Sequence, residues 1–172
     1  MAGADIQNVV VVAIIQRLRH DREEFLFVRE NSTLIAFPGG KVKEDKTLQE
    51  VLRRELLEET GFDVAGQPKL VAIEHTAKIH VAEGEIVRSR LLYFFKTRLA
   101  SKATRQGDKD LLWLDSSSID IYKGQILFDN YLIMTLPLNS LVKMKFVVPD
   151  GYVDSPVPEG GDELVQVRQF FR

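Results

Sequence analysis

Glu55, Glu58 and Glu59 lie within little more than one helical turn of each other, in the run Arg53-Arg54-Glu55-Leu56-Leu57-Glu58-Glu59-Thr60-Gly61. Upstream, Thr47 followed three residues later by Glu50 is a capping-box pattern, which satisfies orphan amides at a helix start. Leu48, Val51, Leu52 and Leu56 then recur at helical spacing until Gly61 supplies a stop. On a wheel of about 100° per residue with Leu48 as origin, Leu52 falls at about 40° and Leu56 at about 80°. Glu59 falls at about 20° and Glu55 at about −20°, inside that apolar stripe, with Glu58 at about −80° on the flank carrying Val51. The core-facing side of the helix therefore changes from leucine to carboxylate in its last turns. Buried carboxylates are costly when unpaired. These three also repel one another and sit where the helix dipole disfavours anions. A hard divalent cation, Mg²⁺ or Mn²⁺, relieves all of these penalties, because it takes carboxylate and phosphate oxygens. The plain alternative is a solvated acidic helix end. Leu57 on the outward side weighs against it.

The segment resembles the Nudix box, whose pattern is Gly, five residues, Glu, seven residues, then Arg-Glu-apolar-x-Glu-Glu-x-Gly-apolar. Here Gly40 is followed at the family's spacing by Arg54-Glu55-Leu56-Leu57-Glu58-Glu59-Thr60-Gly61-Phe62, and the lead-in Phe37-Pro38-Gly39-Gly40-Lys41-Val42 also matches. The resemblance implies that Glu58 and Glu59 ligate Mg²⁺ and that Glu55 is a further ligand or the base for the attacking water. Arg54 would hold a glutamate through an ion pair. The Gly39-Gly40 turn would let backbone groups approach metal and phosphates closely, with Gly39 at the metal and Gly40 and Lys41 at the substrate. The catalytic set so implied is Glu55, Arg54 and Glu58. The family commonly adds a carboxylate from a later loop, and Asp108 has the usual offset from Trp113, with Asp110, Glu83 and Glu85 as rivals. One departure stands out: the first Glu of the box is Lys46 here, with Glu44 as a nearby acid.

On the substrate side, Asp129-Asn130-Tyr131 resembles the segment that reads the base in relatives acting on oxidised purine nucleoside triphosphates. A carboxylate and an amide together can recognise a purine edge. Asp129 also reads as the N-cap of a second helix reaching roughly Ser140 and kinked at Pro137. Trp113 is read as core within Leu111-Leu112-Trp113-Leu114, with base stacking as its alternative. Arg88 and Arg90 alternate on one strand face, toward phosphate or toward solvent.

The elements that must position these residues follow from periodicity. Val9–Ile15 is a continuous apolar, mostly β-branched run, expected for a strand covered on both faces. His20–Glu24 reads as a turn and Phe25–Val28 as the returning hairpin strand. Further strands are expected at Leu34–Phe37, Lys69–Glu74, Ala77–Val81, Ile86–Arg98, Leu111–Leu114, Lys145–Val148 and Leu164–Val167. Pro149 to Asp162 reads as an exposed linker. Strands mixed with two separated helices give an α+β class, and the family resemblance narrows it to an α/β/α sandwich with a mixed β-sheet. The expected division is a catalytic domain over 1–148 and a C-terminal extension over 149–172.

Composition bounds the rest. The chain has 172 residues, 23 Lys and Arg against 25 Asp and Glu, and no cysteine. The net charge of −2 argues against a nucleic-acid polymer as partner. The lack of cysteine excludes disulfides, thiolate-bound zinc and thiol catalysis. With no bilayer-spanning run, a cytoplasmic protein without membrane partners is expected, and a homodimer is compatible with the sequence. The function implied is Mg²⁺-dependent hydrolysis of a diphosphate bond in a nucleotide derivative. Nucleoside triphosphates, oxidised purines among them, rank ahead of ADP-ribose and dinucleotides. The alternative is a Nudix-fold ligand sensor with weak or no turnover, which Lys46 supports and the intact Arg54, Glu55, Glu58 and Glu59 oppose. Restoring the family residue with Lys46→Glu is expected to leave Mg²⁺-dependent turnover unchanged or higher. A large drop would show that Lys46 contacts a substrate phosphate.

Overall fold

Strand β1 (Asn8–Arg19) is the spine of the molecule. Alternation along a strand sends neighbouring side chains to opposite faces, and both faces of β1 are covered. Val12 and Ile14 enter one core with Phe27, Ile35, Phe37 and Phe94, while Val11, Ala13 and Ile15 enter a second with Leu26, Val51, Leu52 and Leu56. The expectation of a doubly covered strand at Val9–Ile15 is met. The computed structural model describes residues 8–43, 46–79, 86–149 and 169–171.

β1 turns through His20 and Asp21, both at positive φ (49° and 61°), into β2 (Arg22–Arg29), a tight two-residue hairpin of the kind that suits strand twist. Two short strands follow, β3 (Ile35–Ala36) on β2 and β4 (Gly39–Lys41) on β1. Helix α1 (Leu48–Thr60) carries the capping box: the Thr47 hydroxyl accepts from the Glu50 amide, and the Glu50 carboxylate accepts from the Thr47 amide at 2.8 Å. It ends on Gly61 at φ 78°, the left-handed conformation that glycine tolerates. Then come β5 (Phe62–Ile79), β6 (Ile86–Ala103), β7 (Leu111–Asp115), α2 (Ser116–Tyr122), a short 3-10 turn (Lys123–Gln125), α3 (Phe128–Met134), β8 (Val142–Pro149) and β9 (Gln169–Phe171).

The sheet is mixed. Its order is β3-β2-β1-β6-β5-β8-β9, with β4 added beside β1 and β7 beside β2. β1 runs parallel to β6 and β5 parallel to β8, and the remaining pairs are antiparallel. α1 covers one face through Val51, Leu52 and Leu56. Ile119 of α2, Ile133 of α3 and Ile126 between these helices cover the other. This is the expected α/β/α sandwich. Among the described residues, no helix is long and apolar enough to cross a membrane.

Several boundaries differ from the sequence reading. Lys69–Glu74 and the part of Ala77–Val81 that is described belong to one strand, β5, whose register shifts absorb irregular pairing. Glu74 and Thr76 interrupt its apolar pattern because they face inward as polar residues, both buried. β6 runs past Arg98 to Ala103 because antiparallel pairing with the start of β5 continues there. α2 was not expected. Asp115 caps it by accepting from the Ser118 amide at 2.9 Å. The second expected helix is shorter: Leu127 is its N-cap, so Asp129 is inside the first turn and is not the cap. It stops at Met134, short of Ser140, and Pro137 lies beyond it, unable to donate to a helical carbonyl. The expected strand at Leu164–Val167 lies outside the described residues, as does most of the linker reading.

α3 is tied to the opposite end of the site by one residue. Asn130, 2% exposed, accepts from the Phe37 amide at 2.6 Å just before Pro38-Gly39-Gly40. Asn130→Ala leaves that buried amide unpaired, which is expected to cost about 1–3 kcal/mol. Equilibrium denaturation of the two proteins measures it, and an unchanged midpoint would refute the role.

Candidate active site

α1 delivers its carboxylates where the wheel placed them. Glu59 is 8% exposed at the end of the apolar stripe, Glu55 is largely covered, and the Glu58 side chain remains 42% exposed. Arg54 bridges two of them, with Nη2 2.5 Å from Glu55 Oε1 and Nη1 3.6 Å from Glu58 Oε2. This is the ion-pair role expected of it. Glu55 lies over Gly40, where any Cβ would collide with its carboxylate. Glu59 accepts from the Gly39 amide at 3.0 Å through Oε2. Gly39 itself admits no side chain, since a Cβ would strike the Val11 carbonyl.

The loop between β6 and β7 closes the C-terminal end of α1. A helix end leaves carbonyls without intrahelical partners. Here the Asp108 amide donates to the Glu58 carbonyl at 2.9 Å and the Lys109 amide to the Glu59 carbonyl at 3.1 Å. Gly107 packs so closely that a Cβ would collide with the Glu59 carbonyl. The loop thereby aims Lys109 inward: its Nζ is 2.6 Å from Glu30 Oε2 and 3.8 Å from Glu59 Oε1. Asp108, the expected acid, turns away; its side chain is 67% exposed and pairs with Arg105 at 3.3 Å. Asp110 is exposed as well. Glu44, Glu83 and Glu85 lie outside the described residues. Lys46 is exposed and acts on Glu50 at the helix start, away from the carboxylates.

These environments set the charges. Burial pushes Glu59 from the ordinary 4.5 up to about 7, against the Gly39 hydrogen bond; Glu30 and Glu55 add to the rise and Lys109 opposes it. Burial also raises Glu55, with Arg54 opposing, Glu58 adding and Lys43 opposing. Burial lowers Lys109, yet the hydrogen bond and charge of Glu30 with the charges of Glu59 and Glu55 hold it above the ordinary lysine value. Among the described residues no set of three ligating side chains is gathered tightly enough to enclose a metal as it stands. Each carboxylate leans on a resident cation. The donor set is nonetheless all hard oxygen, on a glycine cradle that leaves room for nothing larger, and it fits Mg²⁺ or Mn²⁺.

Across β4 from this cluster is a cavity of about 200 Å³ lined by Lys41, Thr76, Lys78, Arg88 and Arg90. Register explains the gathering: Lys41 is opposite Val10, Thr76 opposite Arg90, and Lys78 opposite Arg88, so their side chains share a face. β4 is the shared wall, with Gly40 against Glu55 and Lys41 in the cavity. Glu74, fully buried, accepts from Thr76 Oγ1 at 2.7 Å beneath it. Asp129 reaches the cavity through Arg90, at 3.6 Å. The Asn130 amide is engaged by Phe37 and by Asp129. Trp113 packs in the α1-side core with Arg17 stacked on it at 3.9 Å, so the core reading holds.

Residues 7–123 match the family model of the NUDIX domain. The chain is a member of the NUDIX family. Among solved structures, this NUDIX chain is similar to the mutator MutT protein of Bacillus halodurans, at 20% identity over 95% of this chain and 97% of that one, with a TM-score of 0.67. It is similar also to the NUDIX domain of Shewanella oneidensis NrtR, solved with ADP ribose (17% identity, 76% and 85% covered, TM-score 0.57). A third is the MutT NUDIX hydrolase of Burkholderia pseudomallei (20% identity, 73% and 93% covered, TM-score 0.51). At such identities the likeness is one of fold. No curated protein matches the chain in sequence. Family and fold agree with the expectation from the box.

Lys109, Glu30, Glu74 and Lys78 stand at the candidate site, and sequence reasoning missed them. Of these, only Glu74 and Lys78 left a signal: with Thr76 they recur at period two between Leu70 and Ile79, where the other residues, His75 apart, are apolar. Glu59 also gives a pH signature. Its pKa is raised in the folded chain, so the native state holds a proton that the unfolded chain releases, and stability falls as pH rises from about 4.5 to about 7. Metal-free wild type is therefore expected to lose thermal stability relative to Glu59→Gln across that window. Parallel melting curves from pH 4.5 to 8 would refute it.

Proposed function

We propose that this NUDIX chain hydrolyses a diphosphate bond in a nucleotide derivative, using Mg²⁺ or Mn²⁺ held by Glu55, Glu58 and Glu59. The reading is carried by one juxtaposition: a carboxylate cluster and a cavity of cations share β4 as their wall. A bound cation would neutralise the diphosphate and lower the pKa of a ligated water. Glu55, with its pKa raised by burial and its carboxylate held by Arg54, takes the proton of the attacking water. The Gly39 amide holds Glu59 in orientation, and Gly40 gives the Glu55 carboxylate its seat. Lys41, Lys78, Arg88 and Arg90 bind substrate phosphates, and Asp129 orients Arg90. Asn130 keeps Phe37 and the glycine turn in place, which supports the site without touching the base. Asp108 is outside the proposed ligand set.

Nucleoside triphosphates, oxidised purines among them, rank first because four cations around a small cavity suit a polyanionic tail. ADP-ribose and dinucleotides follow. Chromatography of the nucleotide products formed with Mg²⁺ from nucleoside triphosphates, ADP-ribose and dinucleotides tests the reading. Glu55→Gln is expected to lower kcat by about 10²–10⁴-fold, the worth of a positioned base. Glu59→Gln is expected to remove metal-dependent turnover while leaving the chain folded. Turnover that persists in excess chelator, or in Glu59→Gln, would overturn the assignment.

A further inference from the structure

Lys109 is unusual for its position. It is a full positive charge lodged beside the most buried carboxylate of α1, and two backbone anchors fix it there. On one side the Asp108 and Lys109 amides bond to α1, and on the other the Arg29 amide donates to the Asp110 carbonyl at 3.0 Å. The second anchor ties the loop to the end of β2, next to Glu30. Lys109 thus stands between two carboxylates that belong to separate elements. Its distances are unequal, 2.6 Å to Glu30 and 3.8 Å to Glu59. Glu59 is the more deeply covered of the two, with its side chain 11% exposed against 34% for Glu30. A buried carboxylate left without a counter-charge is costly, and Arg54 already serves Glu55 and Glu58.

We infer that Lys109 is a built-in counter-cation which an entering divalent metal displaces from Glu59, and that Glu30 receives the displaced ammonium. The inference rests on the reading of Glu59 as a metal ligand. In it Lys109 is a positioning residue: without metal it stands against Glu59 and keeps it aimed, and with metal it withdraws the short distance to a partner it already touches. Because the loop backbone is fixed at both ends, only the side chain moves. The cost falls on metal affinity, since metal must replace an existing ion pair. Metal is thereby bound more weakly than three glutamates alone would bind it.

Mn²⁺ titration followed by the EPR signal of the free ion, on the full chain without substrate, tests this. Lys109→Met keeps the aliphatic stem and removes the charge, and it is expected to tighten Mn²⁺ binding roughly three- to tenfold, the effect of losing one like charge in a partly solvated site. Lys109→Gln is expected to act in the same direction, which guards against a folding defect in either variant. Glu30→Gln leaves Lys109 with Glu59 as its remaining partner and is expected to weaken binding. The double variant Glu30→Gln with Lys109→Met is expected to return to the affinity of Lys109→Met alone. Unchanged or weaker binding in both Lys109 variants overturns the inference. A double variant as weak as Glu30→Gln overturns it too, by making Glu30 itself a ligand. The control is Glu59→Gln. If it loses Mn²⁺ while the Lys109 variants match wild type, only the inference fails. If it binds Mn²⁺ as wild type does, the metal reading fails and takes the inference with it.

Discussion

A carboxylate at the end of an apolar helix stripe has to be paired, and the pairing of Glu59 organises everything around it. Oε2 takes the Gly39 amide and Oε1 faces Lys109. The first contact fixes where β4 lies against α1, and therefore where Gly40 meets Glu55. The second needs the β6–β7 loop to press on the helix end, which Gly61 and Gly107 permit by having no side chains. A leucine at position 59 would fit the stripe and dissolve this arrangement. The helix would still pack. The loop, the glycine turn and the cationic lysine would lose the group that holds them in common.

The fold separates two tasks by face. α1 and the carboxylates are on one side of the sheet, while the cations of the cavity and the helices α2 and α3 are on the other. β4 turns successive residues to opposite faces, Gly40 toward Glu55 and Lys41 toward the cavity. The parallel pairing of β1 with β6 brings Arg90 level with Asn8, and the antiparallel pairing of β1 with β4 brings Lys41 level with Val10. Cations from distant stretches of chain thus meet at one edge. Asn130 supplies the tie between α3 and the glycine turn, so the two faces are mechanically linked as well as adjacent.

Much of this was legible in the sequence, for reasons that are physical. The box helix could be read because its capping box, apolar period and glycine stop all agree, and because carboxylates in an apolar stripe demand a partner. β1 could be read from its unbroken β-branched run. α2 could not, since it is seven residues long and opens on Ser116-Ser117-Ser118, which are weak helix formers, behind the Asp115 cap. Asp129 was misplaced by two residues: the N-cap is Leu127, and the Asp129 carboxylate, inside the first turn, pairs with Arg90 and accepts from the Asn130 amide. The polar inward stripe of β5 split one strand into two in the sequence reading. Lys109 was out of reach because its direction depends on contact between segments far apart in the chain, a contact that Asp108 and Asp110 join through their backbones while their side chains stay exposed.

Surface loops ordinarily drift in length and tolerate inserted residues. The stretch from Thr104 to Asp110 is largely exposed, yet it is stitched by backbone hydrogen bonds to Gly61, Glu58, Glu59 and Arg29. It is therefore a spacer of fixed length. An added residue between Arg105 and Asp108 would rotate every following side chain out of phase and replace Lys109 with a neighbour. For anyone grafting, permuting or shortening this protein, the segment belongs with the rigid frame, and cutting it would sever the site from the sheet.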